Sequence, residues 1–216
     1  MKVSVIIPSY NSVNTIDKVF KGLLAQKEIE LVEEIIVVDS SDDGLTKQRL
    51  NQLAFDKVRI VNIGTKVIPA ESRNKGAELA NGDFLIFLDA DASPDKDWFK
   101  NFFRAYSLGV KAGGGGISLA YSQRNNLLAK TQYYLQFNEY IPKGSIRVKQ
   151  FVPSCNMFCE KGLFMEIGGF PKIRASEDVL FGLNLSKRSK MFFVPNARVH
   201  HIFRQSFKEF FHNQIL

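Results

Sequence analysis

An α/β fold follows from three features of the sequence. Short apolar runs alternate with segments of helical periodicity through the first half, the runs are apolar through most of their length, and three of them end in polar clusters. Strands without strict alternation are covered on both faces, as in parallel sheets flanked by helices. Open parallel sheets bind ligands outside the carboxyl ends of their strands, so polar clusters there mark a candidate site.

The elements follow in order. Residues 3–7 form the first strand, followed by Pro8-Ser9-Tyr10-Asn11. Val13, Ile16, Val19, Phe20, Leu23 and Leu24 then recur at helical spacing, with Asn11 or Ser12 placed to cap that helix. Ile35-Ile36-Val37-Val38 is the second strand and runs into Asp39-Ser40-Ser41. Residues 58–61 give a third strand, and a helix spans about Ala70 to Ala80, stopped by Asn81-Gly82. Phe84-Leu85-Ile86-Phe87-Leu88 leads to Asp89-Ala90-Asp91. If these strands are parallel, the three polar clusters converge on one edge of the sheet, and the first half is doubly wound.

The Asp-x-Asp pair at 89 and 91 is the most informative local feature. Residues i and i+2 of a strand share a face, so both carboxylates can address one divalent cation just past the sheet. Asp is also good turn chemistry after a strand, and the pair alone does not separate the two readings.

The second half is less regular. A helix rich in Trp98, Phe99, Phe102 and Phe103 precedes the run Gly113–Gly116, and another helix covers about Asn126 to Glu139. A phosphate-binding loop follows its glycines with Lys-Ser/Thr and a helix, whereas Ile117-Ser118-Leu119 reads as a strand. The glycines are therefore expected in a turn or at a close backbone approach. Glu177-Asp178 opens a helix-like stretch, where an acid commonly caps. Cys155 and Cys159 have no second Cys/His pair for a structural zinc site and read as free buried thiols.

With 216 residues, 45% of them hydrophobic and 19 of them Phe, the chain suits one domain with a real core. A net charge of +7 favours anionic partners. The basic residues are scattered rather than striped, which argues against nucleic acid. The start is too short in apolar residues for a signal-peptide core and no run is long enough to span a bilayer, so a cytoplasmic location is expected.

Taken in order, Val5-Ile6-Ile7-Pro8-Ser9-Tyr10-Asn11, Ile36-Val37-Val38-Asp39-Ser40-Ser41-Asp42-Asp43-Gly44, Arg73-Asn74-Lys75-Gly76, Leu88-Asp89-Ala90-Asp91, Gly168-Gly169-Phe170, Glu177-Asp178 and Val199-His200-His201 make the chain resemble the family 2 glycosyltransferases over nearly its whole length. The resemblance implies the GT-A fold: a Rossmann-like nucleotide-binding half, about residues 1–92, with a mixed central sheet flanked by helices, fused in one domain to an acceptor-binding half, about residues 93–216. It implies inverting transfer from a nucleotide-activated sugar, with UDP the expected nucleotide. By position, Pro8, Tyr10, Asp39, Arg73, Asn74 and Asp89 would hold the donor, although Arg73 and Asn74 also suit structural hydrogen bonding. Asp91, with Asp89 and His201, would bind Mg²⁺ or Mn²⁺; His200 is the neighbouring rival. Asp178 would be the general base, with Gly169 and Glu177 on the acceptor side.

Departures narrow this further. Processive synthases of the family carry a Gln-x-x-Arg-Trp element after the base, and the single tryptophan, Trp98, lies before it, so a non-processive enzyme is expected. A sugar nucleotidyltransferase would need a Gly-rich basic loop in place of Pro8-Ser9-Tyr10-Asn11. The serious alternative is a catalytically inactive nucleotide-sugar or carbohydrate-binding subunit. The sequence stops within a helical pattern, as a truncated chain would. Its closing stretch sets Phe203, Phe207, Phe210, Phe211 and Leu216 among Arg204, Lys208 and His212, which suits peripheral contact with the inner face of a membrane or packing on the domain. The expected partners are the donor and a glycan or lipid-linked acceptor, with the sugar and acceptor set by loops.

Overall fold

A computed structural model gives the fold and describes residues 2–206. The closing segment from Phe207 to Leu216, on which the membrane expectation mostly rests, lies outside the described residues. Among the described residues no helix is long and apolar enough to cross a membrane.

The four strands of the first half form where the apolar runs predict them, with a helix at Gly44–Leu53 that the periodicity does not show. Strands β1 (Val3–Ser9), β2 (Val32–Asp39), β3 (Val58–Asn62) and β4 (Phe84–Leu88) are parallel in the order β3-β2-β1-β4. All five residues of β4 are fully buried, as a strand covered on both faces requires. Edge strand β3 is only half-buried. Helix α1 (Ile16–Leu24) buries Ile16, Val19, Phe20 and Leu23. Leu24, expected on that face, is 52% exposed. The expected cap at Asn11 or Ser12 is also corrected: Thr15 precedes the helix without a side-chain capping bond, while Asn11 sits in the left-handed region at φ 49°. Helix α2 (Gly44–Leu53) is capped by Asp43, whose Oδ1 accepts from Thr46 N at 2.9 Å. Helix α3 (Pro69–Leu79) lies against β1 and β2. A Cβ on its Gly76 would stand 2.4 Å from Ile6 Cγ2, so glycine there sets the close helix–sheet approach.

The sheet continues beyond β4 with reversed partners. It takes in β5 (Ala92–Pro94), β6 (Ala112–Leu119), β7 (Arg147–Lys149), β8 (Asn156–Glu160) and β9 (Met191–His201), interleaved with α4 (Trp98–Ser107), α5 (Leu127–Phe137), α6 (Lys161–Glu166) and α7 (Glu177–Leu185). Strand β8 joins β4 antiparallel, then come β6, β9 and β5, with β7 on β9. The Gly113–Gly116 run is inside β6 and is not a turn. Added Cβ atoms would stand 2.2 Å from Phe192 O at Gly113 and 1.8 Å from Ala197 O at Gly115, so the run permits the close backbone approach of β6 and β9. Ile117-Ser118-Leu119 is strand, as expected. Cys155 and Cys159 are free and buried, as expected.

Trp98 anchors this half. Its Nε1 donates to Asn156 Oδ1 at 2.8 Å, and Asn156 Nδ2 donates to the carbonyls of Gly116 at 3.0 Å and Ala197 at 2.9 Å. One buried amide thereby ties α4 to three extended segments.

Candidate functional site

The ends of β1, β2 and β4 meet at a cleft of about 620 Å³, lined among others by Pro8, Tyr10, Ser40, Arg73, Asp89, Asp91 and Arg204. The polar clusters converge because parallel strands place their carboxyl ends on one edge.

On the β1–β2 side, Asp39 is buried beneath the surface. Its Oδ1 accepts from Ser9 Oγ at 2.9 Å and Ser41 Oγ at 2.6 Å. Its Oδ2 is buried with no hydrogen-bond partner among the described residues. Tyr10 donates its hydroxyl to Asp42 Oδ2 at 2.8 Å, and Asn11 Nδ2 donates to Asp42 Oδ1 at 2.7 Å. These contacts fix the turn that Asn11's positive φ opens.

On the β4 side, the strand registers assemble a donor cluster. The antiparallel ladder pairs Leu88 with Asn156, so its next rung sets Asp89 opposite Cys155. One bond of that rung is made, Asp89 N donating to Cys155 O at 3.3 Å, while Asp89 O turns to Ala92 N at 3.0 Å as the chain leaves the strand. Strand β5 pairs Ala92 with His201, which brings the imidazole to the same place. Asp89, Cys155 and His201 offer ligand atoms that all lie within 4.8 Å of one another. Asp91 Oδ1 stands 3.4 Å from His201 Nε2. Burial raises the Asp91 pKa; His201 opposes the rise and Asp89 adds to it. Asp91 Oδ1 and His201 Nδ1 are buried without hydrogen-bond partners among the described residues. Unpaired buried polar atoms cost stability unless something satisfies them, and carboxylate oxygens with an imidazole are a fitting donor set for a divalent cation. His200 points elsewhere, as alternation along a strand demands. Its ring packs 4.8 Å from Tyr121, and burial lowers its pKa.

Arg73 connects this cluster to the far side. It is 2% exposed; its Nη2 donates to Asp89 Oδ1 at 2.6 Å and its Nη1 to Glu177 Oε1 at 2.9 Å. Glu177 Oε1 also accepts from Ser154 Oγ at 3.2 Å, and Ser154 N donates to Asp178 Oδ2 at 3.4 Å. A continuous polar chain thus runs from Asp89 to Asp178. Burial raises the Asp178 pKa and the Glu177 charge raises it further, outweighing the N–H groups of Ser154 and Val179.

Asn74 and Gly169 are placed differently. Asn74 Nδ2 donates to Phe170 O at 2.8 Å and its Oδ1 accepts from Phe170 N at 2.9 Å. Gly169 has φ 69°, and a Cβ on it would lie 2.7 Å from Asn74 Oδ1. Together they clamp the 168–170 turn onto α3, and neither lines the cleft.

The family model for glycosyl transferase family 2 matches residues 4–168. The chain belongs to that family. Among curated relatives, glycosyltransferase AglE of Haloferax volcanii is 29% identical over 172 residues, covering 78% of this chain and 56% of its own length. The glucosyl-dolichyl phosphate glucuronosyltransferase of the same organism is 26% identical over 182 residues, covering 79% of this chain and 56% of its own length. The family 2 chain therefore spans about half the length of these curated relatives. GalNAc-T7, solved with UDP, GalNAc and Mn²⁺, superposes with a TM-score of 0.76 over 95% of this chain and 44% of its own, at 17% identity. The fold is GT-A.

Ser154 carries no signal in the sequence, Cys155 reads there only as a buried thiol, and Arg204 only as part of the basic-aromatic closing stretch. Ser154 and Cys155 belong to a polar step before the apolar Met157-Phe158, but only the β4–β8 register shows what they face.

Proposed function

We propose that this family 2 chain is the catalytic domain of an inverting, non-processive glycosyltransferase, with about residues 1–92 supplying most of the donor side and about 93–216 the acceptor side, the end of the second half, from His201 to Arg204, folding back to the donor cleft. It moves a sugar from a nucleoside diphosphate, UDP first among candidates, to a hydroxyl of a glycan or lipid-linked acceptor. The observation that carries this reading is the polar chain linking the Asp89–Asp91–His201 cluster to Asp178 through Arg73, Glu177 and Ser154.

Each group has a task its surroundings suit. Pro8 and Tyr10 line the cleft and would face the nucleoside, while Asp39, buried at the end of β2 and not itself in the cleft wall, has an unpartnered Oδ2 that would accept from a base or ribose edge reaching it. Arg204 lines the same cleft and suits a diphosphate. Asp91, Asp89 and His201 would hold one divalent cation, Mg²⁺ or Mn²⁺, which supplies positive charge beside the departing diphosphate. Asp178 takes the proton of the acceptor hydroxyl as its oxygen bonds the anomeric carbon and the bond to the phosphate oxygen breaks. A raised pKa makes a carboxylate a better base at neutral pH. Attack opposite the leaving group inverts the anomeric centre. Arg73, whose two terminal nitrogens are held by Glu177 and Asp89, acts as a positioning residue.

A lipid-linked acceptor has two supports. The named acceptor of the second Haloferax relative is a dolichyl phosphate sugar. The outer face of α5 also leaves Leu127, Tyr134 and Leu135 between 57% and 78% exposed, beside Lys130 in a segment with no Asp or Glu between Asp97 and Glu139. Such a face suits an anionic lipid surface.

The deciding experiment offers UDP-, GDP- and CDP-sugars to the chain and to Asp178→Asn, following donor consumption and nucleotide binding. Transfer by the parent alone, with binding intact in both, is the expected result. Equal turnover in the two would overturn the role of Asp178.

A further inference from the structure

We propose that Cys155 is a ligand of the cation site, adding a sulfur donor to Asp89 and His201 and biasing the site toward thiophilic divalent cations such as Zn²⁺ and Co²⁺ over Mg²⁺. This rests on the reading above that the cluster holds a cation.

The placement is dictated by strand register. Two elements far apart in sequence deliver Asp89 and Cys155 to opposite positions of one antiparallel rung, where side chains on one face lie roughly 4.5–5.5 Å apart at Cβ. His201 arrives from β9 through its pairing with β5. The resulting oxygen, sulfur and nitrogen atoms lie mutually within 4.8 Å, a spread that a small shift of side chains can close on one ion. The second cysteine provides the contrast. Cys159 stands opposite Leu85 and Ala112 in the middle of the sheet, a setting in which a thiol is a small core residue. Cys155, at the mouth of the same strand, is 4% exposed and faces carboxylate and imidazole.

The chemistry then sets the selectivity. Oxygen ligands alone leave Mg²⁺ and Mn²⁺ comparable, imidazole favours the later transition metals, and thiolate favours Zn²⁺ and its neighbours strongly. Asp91, 3.4 Å from His201, remains available as a further oxygen donor.

Co²⁺ added to the purified chain reads this directly, since thiolate ligation gives a sulfur-to-cobalt charge-transfer band in the near ultraviolet and any ordered site gives visible d–d bands. The parent and Cys159→Ser should show both. Cys155→Ser and Cys155→Ala should keep the d–d bands and lose the charge-transfer band, and Zn²⁺ should bind them about tenfold or more weakly relative to Mn²⁺. A charge-transfer band persisting in both Cys155 variants, or missing from a parent that shows the d–d bands, overturns the assignment while the cation site stands. Absence of any Co²⁺ bands, with Asp91→Asn indistinguishable from the parent, removes the cation site and the sulfur ligand together.

Discussion

Arg73 donates to Asp89 at 2.6 Å from a side chain that is 3% exposed, and its other terminal nitrogen holds Glu177 at 2.9 Å. Burying a guanidinium is unfavourable, yet Asp89 and Glu177 outweigh that burial and raise the Arg73 pKa. Removing one partner of a buried ion pair typically costs about 3–5 kcal/mol, because the other charges stay behind. Arg73→Met should approach that loss in urea denaturation at neutral pH. Adding Glu177→Gln should recover part of it, and strict additivity of the two would show that they do not interact.

The pH dependence of transfer should carry the mark of Asp178. Burial and Glu177 hold its pKa above the ordinary Asp value, about 3.9. As pH falls through that raised value the carboxylate takes a proton and ceases to act as a base, so kcat/KM should fall about tenfold per pH unit on its acid side. Glu177→Gln removes the neighbouring charge and should move that limb to lower pH. For stability the sign is opposite to that of a paired acid. A carboxyl whose folded pKa is raised stabilises the fold below its unfolded pKa, and that contribution is lost as pH rises through the folded pKa. Asp178→Asn should therefore cost little or no stability at pH 7 while abolishing transfer, and an unfolded variant would contradict this.

Much of the site was legible because parallel strands put their ends on one edge whatever their exact register. Asp89 and Asp91, which line the cleft, needed only the recognition of an apolar run followed by acids; Asp39 stands at the matching end of β2 but is buried behind the cleft wall. Asn74 was not legible in the same way. Its amide is engaged by Phe170, whose position depends on how the second half folds back over α3. Cys155 was unreadable for a related reason, since a shift of one residue in the β4–β8 ladder would turn it to the other face. Asn11 looked like a cap by residue type, but its side chain is committed to Asp42 and its φ is 49°. Local propensity yields there to a tertiary contact.

The glycine run in β6 gives a sharp stability contrast. An alanine at 115 would place its Cβ 1.8 Å from Ala197 O, so β6 and β9 must separate, and β9 carries His201. Gly115→Ala should be severely destabilised or fail to accumulate. Gly44, at the start of α2, has nothing within 4 Å of an added Cβ, and Gly44→Ala should be neutral or stabilising by roughly 0.4–1 kcal/mol. Thermal melts of the pair test the reading; similar midpoints would count against the strand contact.

The exposed apolar face of α5 predicts a lipid preference. Leu135 is 76% exposed, so Leu135→Glu should leave the melting temperature unchanged while adding repulsion from an anionic surface. Co-sedimentation with phosphatidylglycerol-containing vesicles should fall several-fold, and binding to purely zwitterionic vesicles should be weak for parent and variant alike. Equal sedimentation of the two on anionic vesicles would dismiss α5 as the contact.

Nucleotide and metal should stabilise the chain synergistically. A ligand that binds only the folded state adds roughly 2.7 kcal/mol at about a hundredfold over its Kd. UDP with Mn²⁺ should therefore raise the melting temperature more than the separate effects of UDP and Mn²⁺ combined, because the diphosphate completes the cation's coordination and the cation neutralises the diphosphate. Asp91→Asn removes a donor whose Oδ1 has no hydrogen-bond partner among the described residues, so without ligand it should be at least as stable as the parent. The same change should erase the synergy with Mn²⁺. GDP or CDP giving the larger metal-dependent shift would move the donor assignment to that base and leave the site unchanged. A full shift retained in Asp91→Asn would instead place the cation elsewhere.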